Sequence, residues 1–337
     1  MTRSTDLLLF LQVVVYSFVI GGMIPLLVPR IAVDFPNIFV GGLNGSLIGA
    51  SCMIVEISFL SNRSIRWLRR LPIAVIILMR AFAYSICIVC GLTLPALLVL
   101  GEALWLESNF ALSFWMSISI AFGISTLIEL LQLLGKEAAI SILTGRYRRP
   151  RAEDRIVMFA DLAGSTALAE RLGDLKFHEL LGDVAYDLDK PIAASGGETH
   201  RYVGDAIIVT WSMDKPANFA RSVACAQAMI DTLARTSDDF VARYGQPMRM
   251  RIALHCGPVA AGEVGGWKKE IALLGDTMNS TARIEGAARD FGADIVISDA
   301  IKTHLPEEWA GKLYRLPDYE AHGKQDALRL WTVRPDA

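Results

Sequence analysis

Long apolar runs in the first 135 residues constrain this chain more than any other feature of its sequence. Each run reaches the roughly 20 residues that a helix needs to cross the hydrocarbon core of a bilayer. The runs cover residues 7–28, 38–60, 72–100 and 110–134. The sequence therefore predicts an α-helical transmembrane bundle over residues 1–134. Four spans are the simplest count, and the length of the third run leaves six short spans open.

Clusters of arginine predict the orientation of these spans. Four arginines lie in residues 62–70, between the second and third runs, and four more lie in residues 145–151, after the fourth. Glu102 and Glu107 lie between the third and fourth runs. Because arginine-rich loops stay on the cytoplasmic side of a membrane, both chain termini are expected in the cytoplasm. A count of six spans gives the same result.

The two parts of the chain differ in composition. Charged residues make up 20% of the whole, below the quarter or so that is typical of soluble proteins, and the shortage lies in the first 135 residues. The remainder has the composition of an ordinary soluble domain. The net charge of −2 argues against a nucleic-acid partner, because such proteins carry a strong basic excess.

Three charged residues interrupt the apolar runs: Glu56, Arg80 and Glu129. A charge within the hydrocarbon region is costly and usually faces the interior of a helix bundle or a partner. One interpretation is a site for an unknown ligand or membrane partner. The alternative is contact between helices, with Glu129 reaching the interface.

Residues 135–154 form a connector between the two parts. Their composition favours a helix up to Leu143, after which Thr144 and Gly145 break it and Pro150 prevents its continuation. The connector transmits a signal from the membrane, acts as a plain tether whose arginines bind anionic headgroups, or does both.

Two aspartates follow short β-type segments in the soluble part. Residues 156–160 predict a strand, and Asp161 opens a small turn before a helix. Asp205 lies at the tip of a predicted hairpin formed by residues 199–203 and 206–211. An aspartate in a turn is often only turn chemistry. Two aspartates at adjacent strand ends can, however, share a pair of Mg²⁺ ions.

A third segment carries an amide and a guanidinium. The pattern predicts a helix over residues 217–244, a strand over 249–254 and a strand over 270–274, and a further helix begins at Gly275. Asn279 and Arg283 are four residues apart on that helix, so they share one face. Such a pair can bind ribose and phosphate oxygens, and arginine stabilises charge on a transferring phosphoryl group. A capped helix with an exposed arginine is the plainer alternative.

The segments FADLAGST at 159–166, YVGD at 202–205 and GDTMNSTAR at 275–283 resemble the class III adenylyl/guanylyl cyclase catalytic domain. The resemblance covers about residues 152–335, and the segment from Leu143 to Asp161 is similar to a bacterial membrane-anchored subgroup. It implies an α/β ferredoxin-like cyclase domain over residues 155–337. It also implies a head-to-tail homodimer with the active site at the subunit interface.

The resemblance implies a role for each matching residue. Asp161 and Asp205 would bind two Mg²⁺ or Mn²⁺ ions per active site, Asn279 would orient the ribose, and Arg283 would stabilise the transition state. The last two would act on a nucleotide whose metals are bound by the other subunit. The backbone of the segment after Asp161 would cradle the triphosphate, and this segment comprises Leu162, Ala163, Gly164, Ser165 and Thr166.

The residues that select the base depart from the family pattern. Adenylyl cyclases of the standard type have a lysine where this chain has Arg201, and an aspartate or threonine where it has Ala272. Guanylyl cyclases usually have glutamate and cysteine there. Arg201 can donate to adenine N1, whereas it offers no acidic acceptor to guanine. The pattern therefore favours ATP and leaves GTP open.

A basic residue near the C-terminus completes the set of candidate site residues. The family often carries a lysine that contacts the outer phosphates, beside a glycine. The matching segment here is HGK at 322–324. The usual lysine position corresponds to His322, so Lys324 is the candidate that remains.

Taken together, the sequence predicts a membrane-bound adenylyl cyclase that forms cyclic AMP and pyrophosphate from ATP. We expect a multi-pass protein of the bacterial inner membrane, with its catalytic domain in the cytoplasm. Two alternatives stay open: a guanylyl cyclase, and a membrane receptor that binds nucleotide without turnover. The presence of all four of Asp161, Asp205, Asn279 and Arg283 favours an enzyme over that receptor.

Overall fold

The computed structural model of the protein describes residues 3–27, 33–61, 71–99, 144–267, 269–320 and 327–333, with a few separate residues between 115 and 130. Contacts divide the chain into two compact units, Met1–Ile140 and Ser141–Ala337. The domain limits expected from the sequence remain a prediction.

The N-terminal unit contains three long helices in its described part: α1 (Arg3–Leu27), α2 (Phe35–Ser61) and α3 (Ile73–Val99). By length and composition alone, α3 and the segment Phe35–Glu56 of α2 are long and apolar enough to cross a membrane. The apolar stretch Phe10–Met23 of α1 is shorter. Most of the predicted span 110–134 lies outside the described residues, as do the arginine loop 62–70 and Glu129.

Glycines bring α1 and α2 into close contact. A Cβ atom added at Gly21 would lie 2.2 Å from the carbonyl oxygen of Gly41, and one added at Gly45 would lie 2.1 Å from that of Ser17. No side chain fits at such distances, so the two backbones touch directly. Small residues at helix contacts are typical of helices that pack in membranes.

A polar contact joins α2 to α3. The hydroxyl of Tyr84 donates to Oε2 of Glu56 over 2.6 Å, and Nη1 of Arg80 lies 3.7 Å from Oε1 of the same carboxylate. Tyr84 and Arg80 are buried. Two of the three charges found in the apolar runs therefore pair with each other, as the helix-contact interpretation expects.

The C-terminal unit is built on one mixed β-sheet of eight strands among the described residues. Strand β4 pairs in parallel with β6, and the other pairings are antiparallel. The order is β2-β3-β1-β4-β6-β8-β7, with β5 paired to the end of β4. The strands are β1 (Arg151–Leu162), β2 (Glu198–Val203), β3 (Ala206–Ser212), β4 (Met250–Val264), β5 (Glu270–Leu274), β6 (Ile295–Ser298), β7 (Leu313–Arg315) and β8 (Leu330–Val333).

Helices cover both faces of this sheet. On one face, α5 and α6 pack on the main core, where Ile156, Met158 and Trp211 are almost fully buried. On the other face, Ile284 of α8 packs against Ala253 of β4. The helices of this unit are α4 (Ser165–Leu172), α5 (Asp174–Ala194), α6 (Ala217–Arg235), α7 (Ser237–Tyr244), α8 (Asp276–Phe291) and α9 (Asp299–Lys302), with a 3₁₀ turn at Glu307–Lys312.

The described end of the connector packs onto the sheet. The ring of Tyr147 is buried beside Val157 and Leu273, and its hydroxyl accepts from Nη2 of Arg155 at 3.1 Å. Arg155 is itself buried and pairs with Glu153 at 2.8 Å. Residues 144–150 therefore form part of the C-terminal unit and are not a free tether.

The predicted fold class is confirmed: an N-terminal helical region with two apolar helices precedes an α/β domain. Several element limits were wrong. Strand β1 begins at Arg151, five residues before the predicted start, because its extension pairs with β4. Strand β4 continues past the predicted end at Leu254 to Val264, because it pairs first with the extension of β1 and then with β5. The helix predicted over 217–244 divides at Thr236.

Candidate active site

The sheet brings Asp161 and Asp205 together, as the sequence predicts. Asp161 lies near the end of β1 and is paired with Ala206, the first residue of β3. Asp205 occupies the turn between β2 and β3, next to Gly204, whose φ of 60° is a conformation that glycine adopts without strain. The tight turn therefore places the second carboxylate beside the first.

The two carboxylates repel each other in a partly buried setting. The side chain of Asp161 is 16% exposed. Burial, followed by the neighbouring charges of Asp205 and Glu285, raises the pKa of Asp161 to about 6. Like charges held this close favour either a shared proton or a bound cation.

This pair fits divalent ions of the Mg²⁺ type. Among the described residues, no group of three or more His, Cys, Asp and Glu side chains forms a complete metal site. Mg²⁺, however, is usually bound by one or two carboxylates together with substrate phosphates and water. A site with two aspartates therefore suits a metal ion whose remaining ligands are substrate phosphates and water.

Two residues that sequence reasoning missed border the pair. Arg251 lies opposite Asp161 on β4, with Nη2 3.3 Å from Oδ2 of the aspartate. Its Nε lies 3.9 Å from Oε1 of Glu285 on α8. Arg251 thus places a positive charge beside two carboxylates, those of Asp161 and Glu285. The pairing of β1 with β4 positions it, and no local motif indicates it.

The segment after Asp161 forms a helix N-terminus beside the carboxylates. Leu162 is buried at the end of β1, and the N–H of Ala163 donates to the carbonyl of Arg249 at 2.9 Å, so that amide is used within the fold. Gly164 adopts a left-handed conformation, and α4 begins at Ser165. Ser165 and Thr166 are in the first turn, where amides have no intrahelical acceptor and attract anions.

Asn279 and Arg283 lie on α8, but they face away from the aspartates. Asn279 is exposed, and Nη1 of Arg283 lies 3.9 Å from Oδ1 of Asp276. Glu285, which does face Asp161, comes two residues after Arg283. Residues two apart in a helix point in nearly opposite directions, at about 200°. One chain therefore does not bring Arg283 to its own Asp161.

Arg201 forms an ion pair that the sequence did not predict. Its Nη2 contacts Oε2 of Glu270, and both side chains are a little over 40% exposed. Arg201 is on β2 and Glu270 begins β5, and these strands are not neighbours in the sheet. Ala272 lies two residues after Glu270 and pairs with Gly262. Lys324 and His322 lie outside the described residues.

Comparison with known proteins gives one domain match. Residues 148–332 match the family described as the adenylate and guanylate cyclase catalytic domain. This match spans more than half of the chain, and it includes every site residue discussed above.

Relatives of known name are similar over the same region. Adenylate cyclase 2 of Rhizobium meliloti (strain 1021) is 36% identical over 202 residues, which cover 60% of this chain and 56% of the relative. Human retinal guanylyl cyclase 2 is 26% identical over 204 residues, 60% of this chain and 18% of the relative. The chain thus spans about half of the first relative's length and less than a fifth of the second's.

A solved structure has the same fold. A bacterial light-regulated adenylyl cyclase superposes with a TM-score of 0.54, at 21% identity, over 64% of both chains. At that identity the likeness concerns the fold alone.

Proposed function

Because this chain belongs to the adenylate and guanylate cyclase catalytic-domain family, we propose that it is a membrane-bound adenylyl cyclase that converts ATP to cyclic AMP and pyrophosphate. Its 36% sequence identity to a bacterial adenylate cyclase supports the formation of cyclic AMP from ATP as the reaction. The observation that carries the proposal is the contact of Asp161 with Asp205, whose mutual repulsion a pair of divalent cations would relieve.

The proposed mechanism assigns each group in the site one task. Asp161 and Asp205 would hold two Mg²⁺ or Mn²⁺ ions, whose chemistry when bound would be Lewis-acid activation of the ribose 3′-hydroxyl and charge neutralisation at the phosphates. The first-turn amides of α4 at Ser165 and Thr166 bind phosphate oxygens. Arg283 stabilises the charge that develops on the α-phosphate, and Asn279 orients the ribose.

We propose that these tasks are divided between two subunits. The opposite directions of Arg283 and Glu285 on α8 support this division, because Arg283 then faces the metal site of a partner. Large apolar side chains are also exposed on β2 and on the β4–β5 hairpin, a pattern that marks protein interfaces. They are Tyr202, Val203, Val264, Trp267 and Leu274.

The base is proposed to be adenine. Arg201 supplies a hydrogen-bond donor suited to adenine N1, in place of the lysine of standard adenylyl cyclases. Ala272 offers no side-chain acceptor. Lys324 remains the candidate for contact with the outer phosphates.

The N-terminal helices are proposed to anchor the enzyme in the bacterial inner membrane. Supporting observations are the apolar character of α2 and α3 and the glycine contacts between α1 and α2. The arginines at 62–70 and 145–151 favour cytoplasmic termini and a cytoplasmic catalytic domain.

The test uses the full-length protein, purified in detergent, with Mg²⁺ or Mn²⁺ and either ATP or GTP. We expect cyclic AMP from ATP, and loss of that product in Asp161→Asn. Asp318→Asn, which removes an exposed ion pair with Arg315, is the matched control and should retain activity. Formation of neither cyclic nucleotide would contradict the enzyme assignment, and cyclic GMP alone would contradict the choice of ATP.

A further inference from the structure

We propose that Glu270 is a specificity-determining residue, whose carboxylate accepts a hydrogen bond from the 6-amino group of adenine beside Arg201. The inference rests on the proposed function, in which Arg201 contacts the base. It adds the acceptor that Ala272 cannot supply.

The contact of Glu270 with Arg201 is the observation that locates Glu270 beside the base. Nη2 of Arg201 meets Oε2 of Glu270, so a donor and an acceptor lie side by side. Each side chain remains a little over 40% exposed, which leaves the pair accessible to a ligand. An exposed ion pair of this kind contributes little to stability, so stability alone gives little reason for it.

The alternation of β5 explains why Glu270 takes the place of Ala272. Successive residues of a strand point to opposite faces, so Glu270 and Ala272 share one face. Ile271 and Leu273, on the other face, pack in the small core beside Tyr147. The acceptor is therefore displaced by two residues along the same face of β5.

The chemistry of the pair matches adenine better than guanine. Adenine presents an acceptor at N1 next to a donor at its 6-amino group, which suits an arginine followed by a carboxylate. Guanine presents the reverse order, with a donor at N1 and an acceptor at O6. Arginine has five N–H donors and a carboxylate accepts about four hydrogen bonds, so the ion pair and the base contacts are compatible.

The experiment compares ATP with purine riboside triphosphate, which lacks the 6-amino group, in the full-length protein. The wild type should prefer ATP in kcat/KM by about ten- to a hundredfold, the range for a hydrogen bond to a charged acceptor. Glu270→Ala should lose most of this preference. Glu270→Gln should retain part of it, because the amide oxygen still accepts a hydrogen bond.

The matched control is Glu263→Gln. Glu263 is on β4 of the same hairpin, pairs with Lys269 at 3.1 Å, and lies opposite Ile271, hence on the other face from Glu270. This variant should keep the wild-type preference. If Glu270→Ala instead weakens both nucleotides equally, Glu270 only orients Arg201 and the proposal is wrong.

A binding measurement separates this proposal from the proposed function. Displacement of a ribose-labelled fluorescent ATP gives the affinity ratio of ATP to purine riboside triphosphate without any turnover. An absence of cyclic product would count against the enzyme assignment, while the affinity ratio would still decide the role of Glu270. An unchanged ratio in Glu270→Ala would overturn it.

Discussion

Asp161 and Arg251 face each other across neighbouring strands, with the guanidinium 3.3 Å from the carboxylate. Arg251 also lies 3.9 Å from Glu285. The arginine thus supplies a permanent positive charge to a site that the proposed function fills with metal ions. Its contribution to stability should therefore depend on whether metal is present.

Arg251→Met should destabilise the metal-free protein by about 3 kcal/mol, because it removes the positive charge paired with the partly buried carboxylate of Asp161. The loss should be smaller in Mn²⁺, since the cation replaces part of the missing charge. Unfolding of the full-length protein in EDTA and in Mn²⁺ measures both values. Arg249→Met removes a more exposed ion pair with Asp294 and should cost less than about 1 kcal/mol. Equal losses with and without Mn²⁺ would contradict the charge argument.

Mn²⁺ binding should weaken as the pH falls through 6. Burial and the charge of Asp205 raise the pKa of Asp161 to about 6, so below that pH a proton occupies the carboxylate that the metal needs. The dissociation constant should then rise about tenfold per pH unit for one displaced proton. Electron paramagnetic resonance of Mn²⁺ gives this profile. A constant affinity between pH 7 and pH 5 would be inconsistent with Asp161 as a ligand.

Two inactive variants should restore each other in a shared-site dimer. Co-expression of Asp161→Ala with Arg283→Ala should yield about a quarter of wild-type activity, because half of the symmetric dimers become mixed and each has one intact site of two. Cyclase assays on the co-purified proteins measure the recovery. Asp161→Ala with Asp205→Ala is the control without recovery, since both changes affect the same half-site. Equal results for the two mixtures would argue against a shared site.

A charge on the exposed edge of the β4–β5 hairpin should block dimer formation. Leu274 is 61% exposed there, and Leu274→Glu should give monomers with little activity, because burying an unpaired carboxylate in an interface is costly. Light scattering measures the mass of the particle in solution, and the cyclase assay measures its activity. Leu175→Glu, at an exposed leucine of α5, should leave both unchanged. A fully active Leu274→Glu dimer would place the interface elsewhere.

The glycine contacts of α1 and α2 should not tolerate one added methyl group. Gly45→Ala places a Cβ atom 2.1 Å from the carbonyl of Ser17, so the helices must separate, and the melting temperature in detergent should fall. Gly182→Ala, in helix α5 where an added Cβ atom would meet no atom from outside its own helical turn within 4 Å, should be neutral or stabilising by about 0.5–1 kcal/mol. Equal melting temperatures for the two variants would show that α1 and α2 do not pack closely.

The apolar runs and the resemblance to the cyclase family were sufficient to predict the fold class, and local motifs located the two aspartates. Asp161 and Asp205 each lie at a strand end that the sequence marks by a short β-type segment and by a nearby glycine turn. The spacing of four residues on a predicted helix placed Asn279 and Arg283 on one face of that helix. Their roles in catalysis remain predictions, because they depend on a partner subunit and on bound ions.

Long-range pairing explains what the sequence did not indicate. Arg251 is 90 residues from Asp161, and Glu270 is 69 residues from Arg201. Strand pairing brings the first pair together, and the second contact joins strands that are not neighbours in the sheet. Neither contact has a local signature. The misjudged end of β4 has a related cause, because beyond Leu254 the strand pairs first with the extension of β1 and then with β5.

The hairpin of β2 and β3 carries both Arg201 and Asp205, four residues apart. In the proposed dimer, Arg201 would serve one active site together with Glu270, while Asp205 would serve the other together with Asp161. A nucleotide that shifts the strand at its base would then shift a metal ligand at the opposite site. The two sites would respond to nucleotide cooperatively, through a single turn of the chain.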